Sequence, residues 1–302
     1  MIGFNGGLIG KTRPTVAALS IPGVWTSREQ EVAVREARWS GVSILDLYPG
    51  ATAAYSLRNL RAAVANSPVV KVRRSSGSPS TADFTATEVA DGTLTAWVGA
   101  GNDGFVHTWY DQSTSANNAV QATDASQPRI VNAGALEKDP AVGGKPAIVF
   151  GAATNVSLAP AAPITTASAC AFFFVTRHVN SAGTWSWIVG ENSGQASFFI
   201  GKQSGTSVAN VERFGNLAGT NIAQKAVSYW QLGTGITRYQ INSQAATLSD
   251  WTVSSAWRIG IRQSNSTEGW VGPIQEVIYF PSNQVSNSSA IITNLNLYYG
   301  IF

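Results

Sequence analysis

Charged side chains are scarce in this chain, and this narrows the classes of protein to which it can belong. Asp, Glu, Lys and Arg together make up 12% of the 302 residues, about half the usual share. The net charge is +3 and no dense block of Lys or Arg occurs, so we predict no nucleic-acid partner. Ser, Thr, Asn, Gln and Gly replace the charges, which suits an all-β protein with many turns.

Cysteine is almost missing as well. Cys170 is the only one, so no disulfide forms within the chain, and its apolar neighbours indicate a small buried thiol and not a nucleophile. No apolar run is long enough to span a membrane, so no membrane insertion is expected. Residues 1–10 lack the charged start and apolar core of a signal peptide, and we expect folding in a cytoplasm.

Short apolar runs separated by polar or glycine-rich turns fill most of the sequence. Hydrophobic residues make up 44% of the chain, enough for a sizeable core. Many short strands with few helices are typical of a sandwich or jelly roll. The strands are predicted at residues 42–47, 68–74, 105–109, 119–121, 129–131, 147–150, 169–176, 185–190, 197–201, 227–232, 236–241, 256–261 and 272–280.

Helices are predicted at only a few places. Residues 51–64 give the strongest helix prediction, because Ala54, Leu57 and Val64 recur at helical spacing. The other predicted helices are residues 26–39, residues 93–98, and residues 286–297 with Ser286 as the N-cap.

The N-terminal residues read as an extended arm that is rich in glycine yet carries large apolar side chains. Flexible tails seldom hold so many apolar residues. Two explanations stay open: the arm packs on its own domain, or it docks on another subunit. The side chains that would do this are Phe4, Leu8, Ile9 and Trp25.

Residues 105–113, with the sequence FVHTWYDQS, mark the end of a predicted core strand. The run from Phe105 to Trp109 is predicted to be a half-buried strand, and the polar residues after Tyr110 break it. A strand that delivers an aromatic pair and a carboxylate to its exit suits a functional site. It is equally an ordinary way for a core strand to end.

Ordered motifs resemble a known family across about a hundred residues. Residues 44–150 resemble the jelly-roll domain of the B-type α-L-arabinofuranosidases, and still more the related domains of bacteriophage structural proteins. The motifs that carry the resemblance are LDLYPG (45–50), AYSLR (54–58), VRRSS (72–76), WYDQS (109–113), QPRIV (127–131) and GKPA (144–147).

Both ends of the chain add to this resemblance. WVGPIQEVIY (270–279) and LNLYYG (295–300) look like the last strand and helix of concanavalin A-like or laminin-G-like domains. GFNGGLIGK (3–11) and GVWTSREQ (23–30) are similar to the openings of phage tail and fibre-type proteins. The fold implied is all-β: a concanavalin A-like jelly-roll sandwich with a few short helices and an extended N-terminal arm.

The function implied by this resemblance is that of a non-enzymatic phage virion protein, a tail fibre or adhesin. Residues 1–40 would dock on other virion proteins, and residues 41–302 would form the jelly roll, which would bind host-surface polysaccharide. A homo-oligomer, by analogy a trimer, and location in the virion after assembly in the host cytoplasm are expected. One alternative is a capsid decoration or tail connector protein without a ligand.

A second alternative is a glycoside hydrolase similar to the arabinofuranosidases, acting on host polysaccharide. Such an enzyme needs two carboxylates across one sugar-binding cleft. Glu191 lies about where the enzymes carry a catalytic glutamate, and Asp111 is the second candidate. Asp46 and Asp103 are more distant candidates, and the Asp111 motif resembles a structural loop carboxylate.

Sugar binding needs exposed aromatic rings beside polar side chains, and core packing is the ordinary explanation for most of the ten tryptophans. The candidate ligand-binding residues are Trp185, Trp187, Asp111, Gln112, Trp251 and Trp270. The charges of Lys71 and its neighbours on the same strand are more easily explained by a solvated sheet face than by a phosphate site.

No metal or other cofactor is predicted. Calcium, present in some laminin-G-like domains, would need several oxygen ligands, and the candidates have no motif spacing: Asn102, Asp103, Asp111 and Asp124. His107 and His178 lie in strand-like runs and are interpreted as structural residues, since zinc sites normally need more His and Cys ligands.

Overall fold

The computed structural model describes the greater part of the chain. The described residues are 43–139, 144–151, 156–167, 169–177, 179, 186–191, 199–202, 208–211, 215–221, 226–233, 238–241, 244–247, 256–261 and 269–301. The predicted arm at residues 1–40 and the helix predicted at residues 26–39 lie outside them.

Strands far outnumber helices in this part of the chain. The helices are α1 (Ile44–Leu47), α2 (Ala86–Ala90), α3 (Thr93–Val98) and α4 (Ser288–Tyr299). The strands are β1 (Ala53–Ser56), β2 (Pro68–Arg74), β3 (Thr81–Thr85), β4 (Gly104–Trp109), β5 (Ala119–Val120), β6 (Arg129–Asn132), β7 (Ala135–Leu136), β8 (Ile148–Phe150), β9 (Ala159–Pro160), β10 (Ala169–Thr176), β11 (Ser186–Glu191), β12 (Phe199–Lys202), β13 (Val208–Val211), β14 (Gly215–Asn221), β15 (Ala226–Gly233), β16 (Arg238–Ile241), β17 (Gln244–Thr247), β18 (Trp257–Ile259) and β19 (Gly272–Phe280).

The strands form two sheets. The larger has the order β17-β16-β15-β10-β19-β8-β6-β4-β2-β3 along its main path, with β1 beside β19, β7 beside β6, and β5 between β4 and β9. The smaller has the order β14-β13-β12-β11-β18. Strand pairs in both sheets run antiparallel.

The main hydrophobic core lies between the two sheets. Val72 and Trp109 of the larger sheet belong to the same buried cluster as Ile188 and Ile259 of the smaller sheet. Shared burial of this kind requires the sheets to pack face to face, as in a sandwich. The predicted all-β sandwich with a few short helices is therefore confirmed.

A second core lies on the opposite face of the larger sheet. Helix α4 places Ile291 and Leu295 against Phe173 of β10 and Phe280 of β19, all of them buried. The central strands are thus covered on both faces, which explains why β19 is buried along its whole length. Such strands are continuously apolar and lack an alternating pattern.

Several sequence predictions match the structure closely. Residues 68–74, 169–176 and 272–280 are strands with the predicted bounds, and residues 93–98 are the predicted helix. Burial raises the pKa of the Cys170 thiol to about 12, as expected for an inert core thiol. None of the helices in the described ranges is long and apolar enough to cross a membrane.

Three local predictions are wrong. Residues 42–47 were predicted as a strand but contain helix α1. Residues 51–64 were predicted as a helix but contain strand β1, paired with β19 from Ala53↔Tyr279 to Ser56↔Glu276, and a short 3-10 helix. The sheet partner lies more than two hundred residues away in the sequence, so local spacing could not reveal it. Asn287, and not Ser286, precedes α4, without a side-chain cap.

Candidate functional site

Asp111 lies at the exit of strand β4, where its carboxylate joins strand β1 to the loop after β4. Its Oδ1 accepts hydrogen bonds from the backbone N–H of Ala54 at 2.8 Å and of Ser113 at 2.9 Å. Its Oδ2 accepts them from the Ser113 hydroxyl at 2.7 Å and the Asn117 N–H at 2.9 Å. Four donors around one buried carboxylate indicate a structural role for this catalytic and ligand-binding candidate.

Gln112 has a similar structural role. Its Oε1 accepts a hydrogen bond from Leu60 N at 2.7 Å, and its Nε2 donates to Ser56 O and Arg58 O at 3.0 and 2.8 Å. The side chain is 2% exposed, so this ligand-binding candidate instead ties the loop after β4 to the segment after β1.

A β-bulge in β4 decides which side chains of the motif face outward. Lys71 of β2 pairs with Thr108, but the next residue, Val72, pairs with Val106, so His107 is the extra residue. Val106 and Trp109 consequently both lie in the core. Thr108 and Tyr110 lie on the outer face, because a bulge shifts the alternation by one residue.

An open pocket of about 580 Å³ lies on this outer face. Its wall is formed by the loop after Asp111, and its lining mixes one aromatic ring with amide, hydroxyl and ammonium groups. The lining residues are Lys71, Thr108, Tyr110, Ser115, Ala116, Asn117, Asn118, Val120, Ala161 and Ala162.

Tyr110 is the aromatic residue of this pocket. Its hydroxyl donates a hydrogen bond to Asp83 Oδ1 at 2.7 Å, and Lys71 Nζ lies 3.8 Å from the same oxygen. Burial and the hydrogen bond to Asp83 raise the pKa of Tyr110 above its ordinary range. The phenol therefore stays protonated, and the ring is held in one orientation.

Sequence reasoning named the neighbours of Tyr110 as binding residues but not Tyr110 itself. Its position directly after Trp109 could have identified it, because consecutive strand residues point to opposite faces of a sheet. If Trp109 lies in the core, Tyr110 lies on the outer face. Lys71 was interpreted as part of a solvated sheet face, and it does lie on the outer face, where it also lines the pocket.

The tryptophans proposed for ligand binding do not form an exposed platform. Trp187 and Trp270 are 1% and 0% exposed, so neither ring offers a free face to a sugar. Trp185 and Trp251 lie outside the described residues. Trp109, Trp187, Trp257 and Trp270 are all buried.

The other polar candidates do not form one site, because each makes its own hydrogen bond or ion pair elsewhere in the structure. Asp46 accepts a hydrogen bond from Ala62 N, Asp103 accepts one from Ala133 N, and Asp124 pairs with Arg73 at 3.2 Å. The ring of His107 bonds to the Thr108 hydroxyl at 2.8 Å, while His178 lies outside the described residues. Nowhere in the described ranges do three His, Cys, Asp or Glu side chains cluster as metal ligands do.

Glu191 is the last residue of β11, and its backbone pairs with Trp257 of β18. It is thus at a strand end in the smaller sheet, next to a buried tryptophan. The pocket around Tyr110 belongs to the larger sheet. The two catalytic candidates, Glu191 and Asp111, therefore lie in different sheets.

This chain is similar to known proteins in its three-dimensional structure and not in its sequence. No family model and no curated protein matches the sequence. A GH54 α-L-arabinofuranosidase soaked with a cyclic sulfate inhibitor matches with a TM-score of 0.58 and 14% identity, covering 85% of this chain and 64% of that one. An arabinofuranosidase complexed with arabinofuranosyl-α-1,2-xylobiose gives 0.56 and 15% with the same coverage.

These matches define the fold: an all-β sandwich like that of the GH54 arabinofuranosidases. This chain spans about 64% of the length of the two enzymes. The finding overturns the prediction of a non-enzymatic bacteriophage tail fibre or adhesin, because both of these solved structures are glycoside hydrolases and neither is a virion protein. That prediction rested on the likeness of residues 44–150 to phage structural domains and on the short glycine-rich motifs of the N-terminus.

Proposed function

We propose that this chain is a glycoside hydrolase domain that removes α-L-arabinofuranosyl groups from a polysaccharide, with Glu191 as one of its two carboxylates. The position of Glu191 carries the proposal: it ends strand β11 beside Trp257 of β18, in a fold shared with arabinofuranosidases.

Elimination supports this choice of carboxylate. The buried carboxylates among the described side chains are Asp111, Asp139 and Glu276. Asp111 is engaged by its four hydrogen-bond donors, Asp139 pairs with Arg177 at 2.9 Å, and Glu276 pairs with Arg58 at 2.8 Å. A carboxylate whose oxygens are held in this way is poorly placed to attack a sugar or move a proton, so none of these three is proposed for the reaction.

The chemistry requires a second carboxyl group. One carboxylate attacks the anomeric carbon or activates a water molecule, and the other protonates the departing oxygen. Asp250 and Glu268 flank β18 in the sequence and lie outside the described residues. They are the positions to test for this role.

The test is release of arabinose and of 4-nitrophenol from arabinofuranosyl-xylobiose and 4-nitrophenyl α-L-arabinofuranoside. We expect turnover by the wild-type chain and a loss of kcat of at least about a thousandfold in Glu191→Gln, because the isosteric amide cannot act as nucleophile or base. Asp250→Asn and Glu268→Gln are assayed in parallel, and a comparable loss in one identifies the second carboxyl group.

Glu137→Gln is the matched control. Glu137 accepts hydrogen bonds from Arg129 in a partly exposed pair, so the same change of side chain should leave kcat within about twofold. Full activity in Glu191→Gln would remove Glu191 from the mechanism, and no turnover of either substrate by the folded wild-type chain would refute the hydrolase proposal.

A further inference from the structure

The floor of the pocket beside Tyr110 lies on one continuous row of paired residues across five strands, of which Lys71, Thr108 and Val120 line the pocket. Asp83 pairs with Lys71, Lys71 with Thr108, Thr108 with Val120, and Val120 with Ala159. Directly paired residues of antiparallel strands share a face. The neighbouring row includes Phe84, Val70 and Trp109, which are buried in the core, so the row that starts at Asp83 faces outward.

Hydrogen bonds around Asp111 and Asn117 hold the wall of the pocket in place. Asn117 Nδ2 donates to Ala162 O at 2.7 Å, and Ala162 N donates to Asn117 Oδ1 at 2.9 Å. Asn118 Oδ1 accepts from Asp111 N at 3.0 Å, and the Tyr55 hydroxyl donates to Asn117 O at 2.7 Å. The wall is thus anchored to the core on one side and to the segment after β9 on the other.

The contents of the pocket point to a class of ligand. Rings of aromatic residues offer an apolar face, whereas amide, hydroxyl and ammonium groups offer directional hydrogen bonds. Sugars carry both complementary features. The positive charge of Lys71 lies beside the negative charge of Asp83, so the pocket favours a neutral ligand over a strongly charged one.

We propose that this pocket is a binding site for a neutral oligosaccharide segment, with Tyr110 as the stacking platform. Its volume of about 580 Å³ lies within the usual range for ligand sites, which is about 300–1,000 Å³. The site would hold a polysaccharide to the domain. This inference stands whether or not Glu191 is catalytic.

The test is calorimetric titration of the Glu191→Gln protein, in which the carboxylate proposed for hydrolysis is removed, with arabinofuranosyl-α-1,2-xylobiose and with xylohexaose. We expect at least one probe to bind, and Tyr110→Ala, added to the same background, to weaken binding at least about tenfold. Tyr110→Phe keeps the ring but loses the hydrogen bond to Asp83, so it should weaken binding less than Tyr110→Ala.

Phe105→Ala is the matched control. Phe105 lies on the outer face of the same strand, where the Arg73 guanidinium covers it at 4.8 Å, and it does not line the pocket. We expect Phe105→Ala, added to the Glu191→Gln protein, to bind the oligosaccharide with the same affinity as Glu191→Gln alone. The proposal is overturned if neither probe binds, if Tyr110→Ala binds as tightly as the parent, or if Phe105→Ala weakens binding equally. Failed hydrolysis with intact Tyr110-dependent binding would refute the proposed activity alone.

Discussion

At the residue scale, the WYDQS motif shows how five consecutive side chains take different roles. Trp109 packs in the core, Tyr110 lines the pocket, and the side chains of Asp111, Gln112 and Ser113 form buried hydrogen bonds. The pattern of residue types predicts a strand that ends in a polar loop. It does not tell a carboxylate that binds backbone N–H groups from one that binds a ligand, because both require the same residue.

Replacing Asp111 by Asn tests the structural role of the carboxylate. The amide cannot accept all four hydrogen bonds, because its NH2 group would face N–H or O–H donors. We expect the free energy of unfolding to fall by about 3 kcal/mol, measured by urea denaturation. Asp103→Asn is the control, because Asp103 accepts a bond from Ala133 N at an exposed position and should cost less than about 1 kcal/mol. Equal costs would contradict this account.

At the scale of elements, a buried ion pair joins the segment after β1 to β19 and α4. Glu276 Oε2 accepts hydrogen bonds from Arg58 Nε at 2.8 Å, Ser56 Oγ at 2.9 Å and the Tyr299 hydroxyl at 2.9 Å. Arg58 Nη2 also donates to Asn294 of α4 at 3.0 Å. The guanidinium lies 4.5 Å from the ring centre of Tyr298, so the helix is fixed by several directional contacts.

Removing one member of this pair should cost far more than removing both. Glu276→Leu leaves the Arg58 charge buried without a partner, and we expect a loss of about 3–5 kcal/mol in unfolding free energy. The double variant Arg58→Met with Glu276→Leu should be more stable than Glu276→Leu alone. Denaturation of the single and double variants checks this, with Glu137→Leu as the control for a partly exposed pair. A double variant no more stable than Glu276→Leu would refute the prediction.

At the scale of the whole molecule, buried tyrosines make both cores sensitive to high pH. Tyr55 belongs to the core between the sheets and Tyr299 to the core under α4. Burial first, and then the negative charges of Asp111 and Glu276 respectively, raise the pKa of Tyr55 and Tyr299 well above 10.0. The folded state therefore keeps protons that the unfolded state releases above that value.

Stability should consequently fall as the pH rises above about 10. The contribution of these phenols is complete below their unfolded pKa and is lost as the pH rises towards the folded pKa, by about 1.4 kcal/mol per pH unit for each group. Urea denaturation between about pH 9 and pH 11 measures the slope. Tyr55→Phe should have a shallower slope than wild type, whereas Tyr48→Phe, at a partly buried position, serves as the control. Identical slopes for Tyr55→Phe and wild type would contradict this explanation.

Local sequence determined the fold class and the strands that are marked by an uninterrupted apolar run. The scarcity of charge, the polar turns and the apolar runs of β10 and β19 predict an all-β sandwich without knowledge of any partner. The motifs shared with the arabinofuranosidases pointed to the same fold, although the functional conclusion drawn from the likeness to phage proteins was wrong.

Only the tertiary structure decided the features that depend on distant partners. Ala53–Ser56 is a strand because β19 lies beside it, although its own spacing favours a helix. Tyr110 lines the pocket because pairing with β2 places a bulge at His107. In both cases the deciding hydrogen bonds join residues far apart in the sequence, and their contribution to stability exceeds the small differences in local propensity.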